Sequence, residues 1–415
     1  MIGGLKYRAQ DSGKFKIHFA TDPRLLLVLL AFCEKNVVRY IVLIISMIPI
    51  IGIVSNFIIP TAYIVLLLAY FQKYGAHVSI KEVSVVLFVF FAILASCVLY
   101  PENAKYILDS NNFWNTIFPC LRYFIVGLII LPDKKTLDIL GKASCVAIIV
   151  ETLFVIIYMM PRGLMRSDDM SRAYQILPNV LFALNYSFNK KKFVPWLISS
   201  VGIIYCISMG TRGPIAVILV YLFVRIIQSS SLRNWGKVFT GIITAGIGYF
   251  FLNSDWYLPS LRFLRTQFLH FGLSTRVLDL AINGTIASHL SGRDELYEVV
   301  IRKISERPYL GYGVYGEWPW IGWSAHNMAL EMMAHYGVIL GSILLLWLIV
   351  ISLKSYIKTP NSISKEMILI WMCYVYVRGI FGGSYLQFGV FFMIGFCLRE
   401  IRRIQNDYYC KDSKS

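Results

Sequence analysis

Apolar runs near the length of a bilayer crossing recur along almost the whole of this chain, and that recurrence limits its fold more than any motif does. Hydrocarbon offers no partner to a backbone amide, so each crossing must close its own hydrogen bonds, as a helix does. Of the 415 residues, 57% are hydrophobic and 15% charged, too few charges to cover a soluble surface. The expected fold is all-α: a polytopic integral membrane protein of about 12 transmembrane helices. The spans fall at roughly 37–54, 57–71, 82–100, 115–131, 143–160, 174–188, 193–208, 214–228, 237–252, 329–352, 367–380 and 385–398. Several are shorter than about 20 residues, which a tilted, broken or shielded helix tolerates.

This division gives a cytoplasmic N-terminal segment over 1–36, nine spans over 37–252 and one large helical external loop over 253–328. Spans ten to twelve follow over 329–398, then a basic cytoplasmic tail over 399–415. Within the first segment, "RLLLVLLAF" (Arg24 to Phe32) is too short to cross. It reads as an interfacial helix rather than a signal sequence, since no small-residue cleavage site follows.

Orientation follows from the lysines. With a cytoplasmic N-terminus, the inner segments carry Lys73 and Lys81, then Lys134, Lys135 and Lys142, then Lys190, Lys191 and Lys192. Arg233 and Lys237 come next, then Lys354, Lys358 and Lys365, and the tail closes with Arg399, Arg402 and Arg403. Twelve spans return the C-terminus to the cytoplasm with every inner loop basic. The net charge of +17 is thereby explained as topology and needs no nucleic acid. The eight cysteines form no CxxC pair and none lies in the large loop, so neither a disulfide framework nor a zinc site is expected.

The outer segments break the pattern, because they carry arginine where topology predicts little positive charge. Arg162, Arg166 and Arg172 lie between the fifth and sixth spans, and Arg212 between the seventh and eighth. The long loop holds Arg262, Arg265, Arg276, Arg293, Arg302 and Arg307 against a single lysine, Lys303. A guanidinium grips phosphate or carboxylate in a bidentate fork, whereas an ammonium is a mobile point charge. The competing reading pairs the loop arginines with the loop's own acids, among them Asp279, Glu298 and Glu306. Arg212 has no acidic neighbour in sequence and sits in a Gly-flanked turn at the membrane boundary, where an unpartnered charge is costly and function is the default.

Two helices are expected in the loop, "SLRFLRTQFLHFG" with an apolar stripe, and "SGRDELYEVVIRKISERP" from a Ser291 cap to Pro308. The segment "YLGYGVYGEWPWIGWSAHN" then combines glycines with Tyr312, Trp320, Trp323 and other aromatics. Such rings gather at any membrane interface, and they also form stacking platforms for sugar faces, so both readings are open. His326 stands at the start of the tenth span. It is either a boundary histidine or a group able to accept a proton near neutral pH. Glu331 lies off its helical face, and His335, deeper in the span, reads as structural.

Four motifs in order, "MGTRGP" (Met209 to Pro214), "SGRDELYE" (Ser291 to Glu298), "RPYLGYG" (Arg307 to Gly313) and "AHNMALEMMAHYGVILG" (Ala325 to Gly341), resemble the O-antigen polymerase and ligase superfamily over about residues 195–350. The resemblance implies an inverting membrane glycosyltransferase of the repeat-unit polymerase (Wzy) kind, without cofactor or metal, in the bacterial inner membrane with both termini cytoplasmic. Its substrate would be an oligosaccharide on undecaprenyl pyrophosphate, polymerised at the outer face for O-antigen or capsule. Its partners would be that lipid-linked glycan, membrane lipids and a chain-length regulator protein. In these terms Arg212 would hold the pyrophosphate, with Arg166, Arg172 and Arg293 in support, and His326 would activate the acceptor hydroxyl. The alternatives are a ligase that transfers polymer to lipopolysaccharide core, and a non-enzymatic flippase or transporter, which Arg122, Arg225 and Arg378 inside spans keep open.

Overall fold

A computed structural model describes residues 22–33, 49–74, 80–109, 117–159, 170–229, 258–270, 273–283 and 293–412. All regular structure among them is helical. The N-terminal part comprises α1 (Pro23–Cys33), α2 (Pro49–Tyr74), α3 (Ile80–Leu99), α4 (Pro101–Ile107) and α5 (Phe118–Ile129). Next come α6 (Lys134–Phe154, extended by a π turn over Val155–Met159), α7 (Met170–Lys190), α8 (Phe193–Ser208) and α9 (Arg212–Ser229). The loop region holds α10 (Leu258–His270), α11 (Arg276–Ile282), α12 (Arg293–Glu306) and α13 (Trp318–Ile321). The chain closes with α14 (Met328–Lys358), α15 (Ser362–Met372), a π turn over Cys373–Val377, α16 (Arg378–Phe381) and α17 (Phe388–Asp412).

Helix starts follow capping chemistry. Asp133 accepts from the amide of Thr136 at 2.6 Å to open α6, and Asn361 accepts from Ile363 at 2.9 Å to open α15. Among the described residues, the most extensive helix pair is α5 against α17, where two glycines bring the backbones together. A β-carbon on Gly127 would lie 2.4 Å from the carbonyl oxygen of Phe392, and one on Gly395 would lie 2.3 Å from that of Phe124. Where lipid removes the hydrophobic drive between helices, such close backbone approach is what holds them.

Among the described residues, two helices turn apolar stripes outward. Leu87, Phe91, Leu94 and Val98 make one outward stripe on α3, and Ile339, Ile343, Leu346 and Val350 make another on α14, all exposed. Apolar surface of this extent is unfavourable in water. Two described helices are long and apolar enough to cross a bilayer, Lys134–Met159 and Met328–Lys358, and Ser84–Leu99, Phe118–Ile129 and Phe193–Ser208 are apolar but shorter. The twelve expected spans therefore reduce, among the described residues, to two of full length. The expected span at 237–252 and most of 37–54 lie outside the described residues.

One expected boundary is corrected. Helix α2 runs unbroken through Ser55 and Asn56, where the sequence reading divides a first span from a second. The apolar run continues on both sides of Ser55 and Asn56, and the helix carries Gly52 and Pro60 within it without ending. The short helix expected over 24–32 is α1, with Leu27, Val28 and Ala31 buried and the Ala31 carbonyl accepting from the Tyr123 hydroxyl at 2.6 Å. It is thus packed onto the bundle. The charges inside the bundle are held by neighbours: Arg225 pairs with Glu366 at 3.6 Å, and Arg122 lies over the Tyr63 ring at 4.5 Å from its centre.

Candidate functional site

The site is organised by a break in α14. Asn327 caps this helix, accepting from the amides of Ala329 at 3.0 Å and Leu330 at 3.2 Å. Gly337 then adopts φ 79 and ψ 167, outside the helical region. A break inside a long apolar helix frees backbone groups that hydrocarbon cannot satisfy. The Tyr309–Val314 segment satisfies them. Tyr312 and Gly313 donate their amides to the carbonyls of Ala334 at 2.8 Å and His335 at 2.9 Å, and Val338 donates to the carbonyl of Pro308 at 2.7 Å. The fit requires glycine, since a β-carbon on Gly337 would lie 2.3 Å from the Tyr309 carbonyl oxygen. From the other side, Tyr100 donates to the Gly311 carbonyl at 3.0 Å, Asn103 to that of Tyr312 at 2.7 Å, and Val314 donates to Ser96 at 2.8 Å. The "LGYG" motif is therefore a backbone patch on a broken helix.

That patch carries Glu317 into the interior, where it meets α14. Glu317, Glu331 and His335 are all buried. His335 pairs through Nε2 with Glu317, and its Nδ1 lies 2.7 Å from the Tyr385 hydroxyl, which in turn lies 2.9 Å from that of Tyr336. Ser384 donates to Glu331 at 2.6 Å. Sequence reasoning passed over this group. Glu331 and His335 are four apart on one helix, a same-face spacing that was the available signal. Glu317, Ser384 and Tyr385 come from loops and carried none.

Tyr336 and Tyr385 also border an apolar groove of about 440 Å³ between α3, α14 and α17. Phe88, Ala92, Leu344, Trp347 and Phe391 line it farther along.

Arg212 opens α9, at the positive end of an 18-residue helix. The turn before it packs on the segment leading into α11. Ser274 donates its amide to the Ser208 carbonyl at 3.2 Å, and a β-carbon on Gly210 would lie 2.4 Å from Ser274 Oγ and 3.7 Å from Arg276 Cβ. A β-carbon on Gly213 would collide with the Tyr174 hydroxyl, and the Arg378 guanidinium lies 4.6 Å from the centre of that tyrosine ring. Arg276 and Arg378 thus flank the Arg212 turn. Helix α16, which begins at Arg378, packs against both α9 and the first turn of α14, where Met328 faces Gly379. Through α16 the Arg212 turn and the His326 boundary share one end of the bundle. His326 itself holds φ 53, a left-handed backbone rare for a residue with a side chain.

The other sequence-predicted residues are dispersed. Arg166 lies outside the described residues, and Arg293 opens α12. Arg172 is tied to the bundle by Glu151 at 3.4 Å, a carboxylate that also accepts from Tyr205 at 2.7 Å. Tyr312 and Trp320 pack edge to face with ring centres 4.3 Å apart, Arg307 lies 4.9 Å from the Tyr312 ring centre, and Trp323 is exposed. The loop's acids answer some of its cations. Arg265 donates to Asp279 at 2.5 Å and holds its carboxyl below the usual carboxylate range, and Lys303 does the same for Glu306 at 2.7 Å. Compared with known proteins, the chain matches no family, no curated protein sequence and no solved structure.

Proposed function

We propose that this chain is a multi-pass membrane glycosyltransferase that polymerises lipid-linked oligosaccharide repeat units. The observation that carries the reading is the apolar groove beside α14, whose lining reaches Met332 and Tyr385, in a bundle where α16 joins the Arg212 helix to the start of α14. A donor with a polyprenyl tail and a charged pyrophosphate head needs both features in one place. The groove's lining on α14 runs from Met332 to Leu348, roughly 24 Å at the helical rise, enough for several isoprene units.

In this reading the tail lies in the groove and the head meets Arg212, with Arg276 and Arg378 beside it. The acceptor hydroxyl attacks the anomeric carbon from the face opposite the leaving group. The glycosyl–oxygen bond breaks, its electron pair leaves with the pyrophosphate, and His326 takes the hydroxyl proton. Guanidinium groups fixed before the reaction stabilise the charge that develops on the leaving oxygen more than they stabilise the substrate. The left-handed backbone at His326 supports a functional role, since such strain persists where surrounding structure enforces it. The resemblance implies a reaction at the outer face of a bacterial inner membrane, with both termini cytoplasmic. The pairing of Arg225 with Glu366 favours an enzyme over a flippase, because it leaves that partly buried charge serving helix packing.

The test is turnover of a synthetic undecaprenyl-pyrophosphate-linked repeat unit by the purified protein. A ladder of longer glycans with release of undecaprenyl pyrophosphate is expected, and Arg212→Lys should lower the rate by about 10²–10³. Transfer to a lipopolysaccharide core acceptor alone would make the protein a ligase. No release with either acceptor would refute glycosyl transfer.

A further inference from the structure

The buried cluster on α14 has more negative charge than its neighbours balance. Glu317 is 0% exposed and Glu331 2%, and each keeps one carboxylate oxygen without a hydrogen-bond partner, Oε1 of Glu317 and Oε2 of Glu331. A carboxylate oxygen buried in that state is strongly unfavourable unless a cation or proton meets it. One ligand atom from each of Glu317, Glu331 and His335 falls within 4.8 Å of the others. Donors within that limit need only small side-chain shifts to close on one cation at about 2.0–2.4 Å from each.

We infer that Glu317, Glu331 and His335 bind a divalent first-row metal ion of the zinc or manganese type. Two carboxylates neutralise its charge, and an imidazole nitrogen selects it over calcium or magnesium, which take oxygen ligands. The supporting contacts have the form metal sites use. Nε2 of His335, which pairs with Glu317 in this structure, would exchange that contact for the ion, while Nδ1–H donates to the Tyr385 hydroxyl at 2.7 Å, which fixes the ring and its tautomer. Ser384 holds the other oxygen of Glu331 at 2.6 Å. The ion ties the Glu317 loop to α14 at the helix break, so its role is to lock the patch in place. No CxxC or paired-histidine spacing announces the site, because one ligand comes from the loop and two from the helix. The inference does not rest on glycosyl transfer and is read without it.

The experiment is metal analysis of the full-length protein, tag removed, purified in detergent. About one equivalent of a divalent first-row metal per chain is expected, either as purified or after incubation with Zn²⁺ or Mn²⁺. Glu331→Gln and Glu317→Gln should lose it. Tyr385→Phe, which keeps the ring and the packing, should bind Zn²⁺ or Mn²⁺ about 10–100-fold more weakly while eluting as wild type on size exclusion. Thermal unfolding of the wild type should shift upward with added metal and downward with chelator. Fewer than about 0.1 equivalents in wild type under every condition would overturn the site and assign the buried carboxylates a shared proton instead. Unchanged affinity in Tyr385→Phe would overturn it as well.

Discussion

Two seams in this bundle depend on glycine, and they differ in what the glycine does. Between α5 and α17, Gly395 brings two intact helices together, each still closing its own hydrogen bonds. At α14, Gly337 breaks the helix, and the loop over residues 308–314 supplies the missing partners. The clash that a β-carbon would meet is the same in both places, 2.3 Å to a carbonyl oxygen. Contact distance therefore does not separate them; backbone conformation does. The first seam is close glycine packing of intact helices, a kind common in membrane bundles. The second exchanges regular structure for an irregular one and buries two carboxylates beside it, an arrangement that persists where function requires it.

The sharpest way to break the comparison is at the helix entry. If His326 takes the acceptor's proton, His326→Ala should lower turnover by about 10²–10⁴ with lipid-linked substrate still bound. His326→Gln should rescue a positioning role and fail to rescue a basic one, because glutamine donates and accepts hydrogen bonds but does not titrate near neutral pH. Wild-type rates in both variants would make His326 an ordinary boundary residue and leave the broken seam without its catalytic group.

A smaller effect compares the seams directly. Alanine at Gly395 should destabilise by about 1–3 kcal/mol through overpacking, with activity per folded protein retained. Alanine at Gly337 adds about 1–3 kcal/mol for a positive-φ backbone open essentially only to glycine and displaces the loop, so its folded fraction should also lose activity. Thermal unfolding together with turnover per folded molecule distinguishes the two. Equal activity loss in both variants would mean that the seams serve one purpose.

The smallest effect lies outside both seams. Asp279 titrates below its ordinary range because Arg265 donates to it, so the pair stabilises α10 against α11 at neutral pH. That contribution is lost as pH falls through the unfolded carboxylate range near about 4 and below. Both side chains are more than a third exposed, which limits the contribution to within about 1 kcal/mol. Proteolysis of this layer should increase in acid for wild type and change less with pH in Arg265→Gln.

Legibility in the sequence followed locality. Helix α8 covers the expected 193–208, and α14 begins one residue before its expected start, because apolar length and a polar cap are local properties. The two loop helices, α10 and α12, were legible for the same reason. The break at Gly337 was not, since its glycine sits amid apolar residues that continue a span on both sides. The partners that make the break tolerable lie 22 to 30 residues away, at Pro308 to Gly313. Likewise Glu317, Glu331, His335 and Tyr385 meet only after the loop has folded back. The Arg212 turn stood out through its flanking glycines, whereas Arg276 and Arg378 joined it through packing alone.

The central claim is that the apolar groove and the Arg212 end serve one lipid-linked donor. Photocrosslinking with a polyprenyl pyrophosphate carrying a diazirine in its tail tests it most directly, with labelled peptides read by mass spectrometry. The account predicts label on groove residues such as Phe88, Trp347 and Phe391, suppressed by unlabelled polyprenyl pyrophosphate and weakened in Arg212→Lys. Label spread evenly over the outward stripe of Phe91, Val98 and Leu346, and indifferent to competitor, would contradict it.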